Sequence, residues 1–143
     1  MLQPMKLRHL ARQAALQVLV SLLLNDTDKA TVLAYVHKEF AERLPERGFL
    51  ELLVDGVLEH RSELDETIQR FAPEWPLHKL DPVERVILEL GSFEVLKTDT
   101  PAPVAINEAV DLAKEFGDDS AGRFVNGVLS SIAREAGLLS AKT

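Results

Sequence analysis

The sequence predicts an all-α protein, and three observations carry that prediction. Apolar residues recur at helical spacing along almost the whole chain, no stretch alternates like a strand for long, and helix start and stop signals punctuate the periodic runs. Together they give about seven helices in two small helical subdomains, about 6–71 and about 81–137, within one domain spanning 1–143.

The first helix is expected from about Lys6 to Leu24, where Asn25-Asp26 breaks it and Asp26 or Asp28 caps the next. The second runs from about Lys29 to Arg43, with Val32, Leu33, Val36 and Phe40 on one stripe, and Pro45 ends it. A third covers about Glu46 to His60, with Phe49, Leu50, Leu53, Val54, Val57 and Leu58 inward. Ser62 then caps a separate helix through Phe71 that carries Leu64 and Ile68. Pro73, Trp75 and Pro76 mark the connector between subdomains. Asp81-Pro82-Val83-Glu84 is a strong helix start: Asp81 caps, Pro82 takes the first helical position, and Glu84 can bond back to the cap backbone. Val83, Val86, Ile87, Leu90 and Phe93 follow at helical spacing, and Thr98 to Pro103 is a loop. The next helix spans about Val104 to Phe116 with Gly117 as its C-terminal cap. The last spans about Ser120 to Ala136, carries Phe124, Val125, Val128, Leu129, Ile132 and Ala136 on its apolar stripe, and stops at Gly137.

A chain of 143 residues is long enough to bury a true core without staples. It has no cysteine, so disulfides and Cys-based zinc sites are excluded, which fits a reducing cytoplasm. The longest apolar stretch, Ala14 to Leu24, is interrupted by Gln17 and Ser21. It is too short to span a membrane and lacks a small-residue cleavage site, so it is expected to be a buried helix.

The formal net charge of −7 argues against a generic nucleic-acid binder. Its distribution is uneven. The first 25 residues hold Lys6, Arg8 and Arg12 and no acid, whereas the remainder holds 13 bases and 23 acids. The basic character therefore sits at the N-terminus of an otherwise acidic body, as either a local anion site or a solvated helix start.

No enzymatic constellation is present. His9, His37, His60 and His78 stand at no metal-ligand spacing from one another, and neither HExxH nor a carboxylate triplet accompanies them. Glycine-rich dinucleotide loops, Walker loops and GxSxG elbows are absent. Catalytic residues, metal and cofactor are accordingly expected to be none.

Two features stand out. On a helix Arg8 and Arg12 share a face with His9 beside them, and side chains so placed can grip successive phosphates near a helix N-terminus. Three or four such contacts bind RNA weakly and with strong salt dependence, so a partner is needed. The second feature is Phe124-Val125-Asn126-Gly127-Val128-Leu129, where the apolar period runs straight through Asn-Gly. Glycine inside a helix costs about 1 kcal/mol against alanine, which points to close approach by another helix or by a ligand.

The same residues resemble a known family. Pro103-Val104-Ala105-Ile106-Asn107-Glu108-Ala109-Val110, then Leu112-Ala113-Lys114 and Phe116-Gly117, look like the NusB signature. Phe124 to Leu129 look like its second half, seven residues after that glycine. Arg8-His9-Leu10-Ala11-Arg12 leading into Ala15-Leu16 resembles the family's arginine-rich opening helix. Leu64-Asp65 with Ile68 and Trp75, and Val83-Glu84-Arg85 through Phe93-Glu94, resemble its middle.

The resemblance covers nearly the whole chain and implies an all-α fold of two helical subdomains. It implies a transcription antitermination factor that pairs with NusE, a small-subunit ribosomal protein. The pair would bind the boxA element of ribosomal RNA leaders and work beside RNA polymerase with other Nus factors. By matched position it assigns RNA contacts to Lys6, Arg8, His9, Arg12, Phe116, Arg123 and Phe124, and partner contacts to Glu84 and Asn126. Aromatic side chains read single-stranded RNA by stacking on splayed bases, although Phe116 and Phe124 fit a core equally well and Glu84 fits a cap. This sequence departs from the family pattern at Leu10 (often arginine), Val20 (commonly tyrosine), Phe93 (commonly tyrosine) and Ser130 (frequently aspartate); the first two reduce charge and stacking near the RNA surface.

Two rivals stand beside this reading. One is an accessory module of a ribosomal RNA cytosine methyltransferase system, although the chain has neither room for a catalytic domain nor a cysteine nucleophile. The other is a purely protein-binding helical module, including a homodimer formed through the apolar Ala14 to Leu24 helix.

Overall fold

The computed structural model describes residues 4–25, 28–39 and 47–140, with side chains at 4–6, 37, 39 and 47 left out of the description. Among the described residues six α-helices follow in order: α1 (Pro4–Leu24), α2 (Lys29–Glu39), α3 (Arg47–Phe71), α4 (Pro82–Lys97), α5 (Ala102–Phe116) and α6 (Asp119–Glu135); a 3-10 turn, Leu77–Lys79, precedes α4. No strand occurs among the described residues. Asp26, Phe40, Arg43 and Pro45, with the second helix's expected end, lie outside them, as do the side chains of Lys6 and His37.

The fold is built around α4, whose residues Val86 to Val95 are buried without interruption. α4 packs on α1, α3, α5 and α6. Two glycines make this possible. A Cβ on Gly56 of α3 would lie 2.0 Å from the Phe93 ring, and one on Gly91 would lie 2.5 Å from Leu129 of α6. The buried apolar residues form one cluster drawn from all six helices. The apolar helix α1 belongs to it: Ala14, Ala15, Leu16, Val18 and Leu19 are buried against its neighbours, while Leu24 at its end is exposed.

The 46–71 stretch is one helix rather than two. Ser62 is an exposed mid-helix residue, and the apparent break has a specific cause. The buried stripe runs Leu50, Leu53, Val54 and Val57, then resumes at Leu64 and Ile68. The position in between is Arg61, a charge on the core-facing side that pairs with Glu89 of α4 through contacts of 3.1 and 3.2 Å. Arg85 lies beside the same carboxylate (Nε to Oε2, 3.5 Å) and donates to Asp65 at 3.1 Å. Glu89 is fully buried. Burial, reinforced by the neighbouring Asp65, pushes its carboxyl up to about 8 against the pull of Arg61.

Caps follow the sequence closely. Asp28 accepts from Thr31 N and from the Thr31 hydroxyl, both at 2.9 Å, and these bonds hold its carboxyl below the usual range. Asp81 accepts from Val83 N at 2.8 Å, with Pro82 opening α4. The expected return bond from Glu84 is not formed; its side chain turns into a groove described below. Asp118 accepts from Ala121 N at 2.8 Å, so α6 starts at Asp119, one residue before the expected Ser120. Gly137 has φ +75°, and Leu138 N donates back to Ala133 O at 2.8 Å, a left-handed stop for α6. Between α3 and α4 the side chain of Gln69 organises the connector, donating to Ala72 O and Trp75 O and accepting from Leu77 N.

Candidate nucleic-acid interface

The N-terminal cations are not equivalent. Position 12 lies on the buried stripe of α1, one turn before Leu16, and Arg12 is only 4% exposed. Its guanidinium meets both oxygens of Glu94 on α4, with Nε to Oε1 at 2.9 Å, and its Nη1 lies 3.3 Å from Glu108 of α5. It also sits 5.2 Å from the Phe49 ring centroid on α3. Arg12 therefore ties four helices together, and its donors are engaged inside the protein. The expectation that Arg8 and Arg12 present one solvent face is corrected: α1 is embedded at Arg12, and Arg8, one turn earlier, is exposed. The Arg8 guanidinium lies over Phe49 at 4.4 Å, and it makes no ion pair with any described residue.

His9 bridges α1 to α5. Its Nδ1 is 2.9 Å from Glu108 and its Nε2 is 3.5 Å from Glu115, one residue before Phe116. The contact brings the N-terminal cations and the C-terminal end of α5 to one side of the molecule. Phe116 stands there at 52% exposure, a surface aromatic rather than a core one. Gly117 follows because a Cβ at that turn would press on Ala113 O at 2.8 Å.

Phe116 opens onto a groove of about 340 Å³ whose floor includes Glu84, with Asp81, Asp118 and Ser120 around it. Glu84 is half-buried and has no cationic partner among the described residues. Burial, then the nearby charges of Asp81 and Asp118, raise its carboxyl above the ordinary range. Such a group attracts a cation from outside. Glu84 and Ser120 also border a second cleft of about 500 Å³, lined by Trp75, Leu80, Arg123 and Phe124. Phe124 is half-buried and meets Trp75 edge-on, with ring centroids 6.2 Å apart. Trp75 is 56% exposed, and Arg123 is exposed without an ion pair among the described residues.

Phe116 and Glu84 thus share the first groove, Glu84, Arg123 and Phe124 share the second, and His9, next to Arg8 on α1, reaches the residue before Phe116. Asn126 lies outside both clefts, exposed on α6, at hydrogen-bond reach of the Ser130 hydroxyl (3.4 Å). Gly127 beside it has nothing within 4 Å of an added Cβ, so no helix among the described residues approaches closely, and of the two expected causes, a helix or a ligand, the first is not found. Residues that sequence reasoning missed are Trp75 as a cleft wall and Glu94, Glu108 and Glu115 as the counter-charges of α1. Their signal was available, since each acid lies within or beside a quoted motif, but motif matching does not say which charges face one another.

Among the described residues no cluster of His, Asp and Glu could hold a metal, and no helix is long and apolar enough to cross a membrane. What the geometry defines is an all-helical binding domain with a mixed cationic, aromatic and acidic surface.

Comparison with known proteins makes this specific. The chain belongs to the NusB family, whose family model matches residues 9–134. It is 40% identical to the transcription antitermination protein NusB of Herpetosiphon aurantiacus over 130 residues, covering 88% of this chain and 89% of that protein. It is 44% identical to the same-named protein of Roseiflexus sp. (strain RS-1) over 131 residues, covering 88% and 91%. Among solved structures, NusB in the complex of antitermination factors NusB and NusE with double-stranded RNA superposes with a TM-score of 0.80 at 32% identity, covering 91% of this chain and 98% of that one. NusB of T. maritima gives a TM-score of 0.80 at 30% identity, covering 94% of each. The first two relatives are named as transcription antitermination proteins, and the RNA complex as one of antitermination factors.

Proposed function

We propose that this protein is a transcription antitermination factor that binds RNA jointly with a NusE-type ribosomal protein. The observation that carries the reading is that Phe116, Arg123 and Phe124 line two clefts that share the unpaired Glu84, with Arg8 and His9 on the helix that meets the end of α5. Exposed cations meet phosphates and exposed aromatics meet unstacked bases, which is how single-stranded RNA is held. Glu84, half-buried and lacking a cation, receives a basic side chain of the partner protein. The partner thereby neutralises one of the carboxylates beside the RNA path, which makes RNA and partner binding mutually reinforcing. With a net charge of −7 the protein alone holds RNA weakly. Lys6 also contacts the RNA and Asn126 the partner, while Arg12 acts by holding α1 in place.

The RNA is the boxA element of ribosomal RNA leader transcripts. The complex works in the cytoplasm beside RNA polymerase and other Nus factors, where it opposes termination. The test is fluorescence anisotropy of a labelled boxA-like RNA, titrated with this protein alone and with NusE at two salt concentrations. Tighter and salt-sensitive binding with both proteins, reduced by Arg8→Ala and by Phe116→Ala, is the expected result. Absence of RNA binding by the folded pair would overturn the reading.

A further inference from the structure

The seam between α3 and α4 holds a buried group of charges that neither binding cleft uses. Arg61 and Asp65 enter it from α3, and Arg85 and Glu89 from α4. Glu89 lies deepest and is closed to solvent. The helices α1, α5 and α6 also pack on α4, but none of their charged side chains among the described residues pairs with these four. The other buried acid of α4, Glu94, is engaged by Arg12. His60, Glu63 and Lys97 form a separate, more exposed group along the same seam.

The two acids of the buried group stand side by side. The Glu89 and Asp65 carboxyls are at hydrogen-bond reach of one another. Asp65 Oδ2 accepts from Arg85 Nη2 at 3.1 Å, whereas Asp65 Oδ1 is buried and has no donor. Two ionised carboxylates cannot bond to each other; in a buried site they only repel. A single proton between them removes the repulsion and gives the orphaned oxygen the donor it lacks.

The arginines leave room for that proton. Arg61 reaches Glu89 at 3.1 and 3.2 Å, longer than the roughly 2.7–2.9 Å of a bond between fully charged partners. Arg12 approaches Glu94 at 2.9 Å by comparison. Arg85 Nε stands 3.5 Å from Glu89 and makes no hydrogen bond.

We propose that Glu89 and Asp65 share one proton, in a hydrogen bond from the Glu89 carboxyl to Asp65 Oδ1, and that this bond is a pH-sensitive latch between α3 and α4. With the proton in place, Asp65 bears the negative charge and Arg61 and Arg85 flank it. When the pH rises the proton leaves to solvent, Glu89 becomes a second carboxylate facing the first, and the bond across the seam is lost. The latch is therefore closed at low and neutral pH and opens in alkali.

The test follows the side-chain carboxyl carbons of Glu89 and Asp65 by NMR in 13C,15N-labelled full-length protein, from about pH 5 to about pH 9.5. Amide hydrogen exchange along α3 and α4 is measured over the same range. The Glu89 carboxyl is expected to release its proton at about 8. Asp65→Asn removes the facing charge and should weaken proton binding by Glu89 about ten-fold or more. Glu89→Gln supplies an N–H to Asp65 Oδ1 at every pH. Above the wild-type transition its α3 and α4 amides should exchange more slowly than those of the wild type at the same pH. A Glu89 carboxyl already ionised at pH values near 5 overturns the shared proton, as does a transition that Asp65→Asn leaves in place. Equal exchange in wild type and Glu89→Gln above the transition overturns the latch. The wild-type carboxyl titration decides the first point even if a variant fails to fold.

Discussion

Replacing Arg12 separates a structural arginine from an RNA-binding one. Both Arg12 and Glu94 are almost fully buried, at 4% and 3% exposure, and the guanidinium meets both oxygens of that carboxylate and one of Glu108. Arg12→Ala leaves Glu94 as an uncompensated buried charge and opens a hole beside Phe49. Removing one member of a buried pair costs about 3–5 kcal/mol. That is a large share of the roughly 5–15 kcal/mol that stabilises a domain, so the urea midpoint should fall steeply and the melting temperature by about 10 °C or more. Arg8→Ala removes an exposed group and should stay within about 0.5–1 kcal/mol of the wild type. The assay is urea unfolding followed by far-UV circular dichroism, paired with RNA anisotropy at a temperature where both variants are folded. Arg12→Ala at wild-type stability, with RNA binding reduced as far as in Arg8→Ala, would refute the argument. It would mean that the Arg12 side chain leaves its carboxylates to reach RNA.

Three further outcomes are expected. Glu89 has a native carboxyl raised to about 8, above its unfolded value, so the native state holds that proton more tightly. This contribution is complete below about pH 4.5 and is lost as pH rises toward 8; Glu89→Gln should therefore gain stability relative to the wild type across that window, read from melting temperatures at successive pH values. Gly127→Ala should stabilise the free protein by up to about 1 kcal/mol, since an added Cβ meets nothing; a thermal melt showing destabilisation would contradict the open space found there. Arg8→Ala should lower the slope of log affinity against log salt by about one, because a single phosphate contact is lost, whereas an unchanged slope would remove Arg8 from the RNA surface.

Much of the fold was legible because its signals are local. Asp81-Pro82 and Gly137 set boundaries through the backbone chemistry of single turns, and the structure puts them where that chemistry requires. The failures share a different origin. Arg61 interrupts the apolar stripe of α3 and so mimics a helix boundary, because a sequence cannot display the Glu89 that awaits it on α4, 28 positions away. Arg12 looked like a partner of Arg8 for the same reason: its carboxylates lie 82 and 96 positions on. The return bond expected of Glu84 was plausible by spacing, but the groove left by Phe116 and Ser120 gives that side chain another place to go. Local rules locate elements well, and long-range charge pairing decides which charged residues remain available for binding.

That division bears directly on how an acidic protein can bind RNA. The N-terminal excess of positive charge shrinks on folding: Arg12 is consumed by Glu94 and Glu108, and His9 leans on Glu108 and Glu115, leaving Arg8 as the described α1 cation free to act. A lone cation beside exposed acids gives little affinity in salt. What the internal pairs supply instead is position, since the turn carrying Arg8 is fixed against α3, α4 and α5 before RNA arrives and little ordering remains to be done on binding. Affinity must then come from surfaces that charge counting does not see, the exposed rings of Phe116 and Trp75 and a partner that satisfies Glu84. Discharging Glu84 by substitution to glutamine should therefore strengthen RNA binding by the isolated protein while weakening its capture of the partner. An equal loss of both would show that Glu84 serves the fold and not the interface.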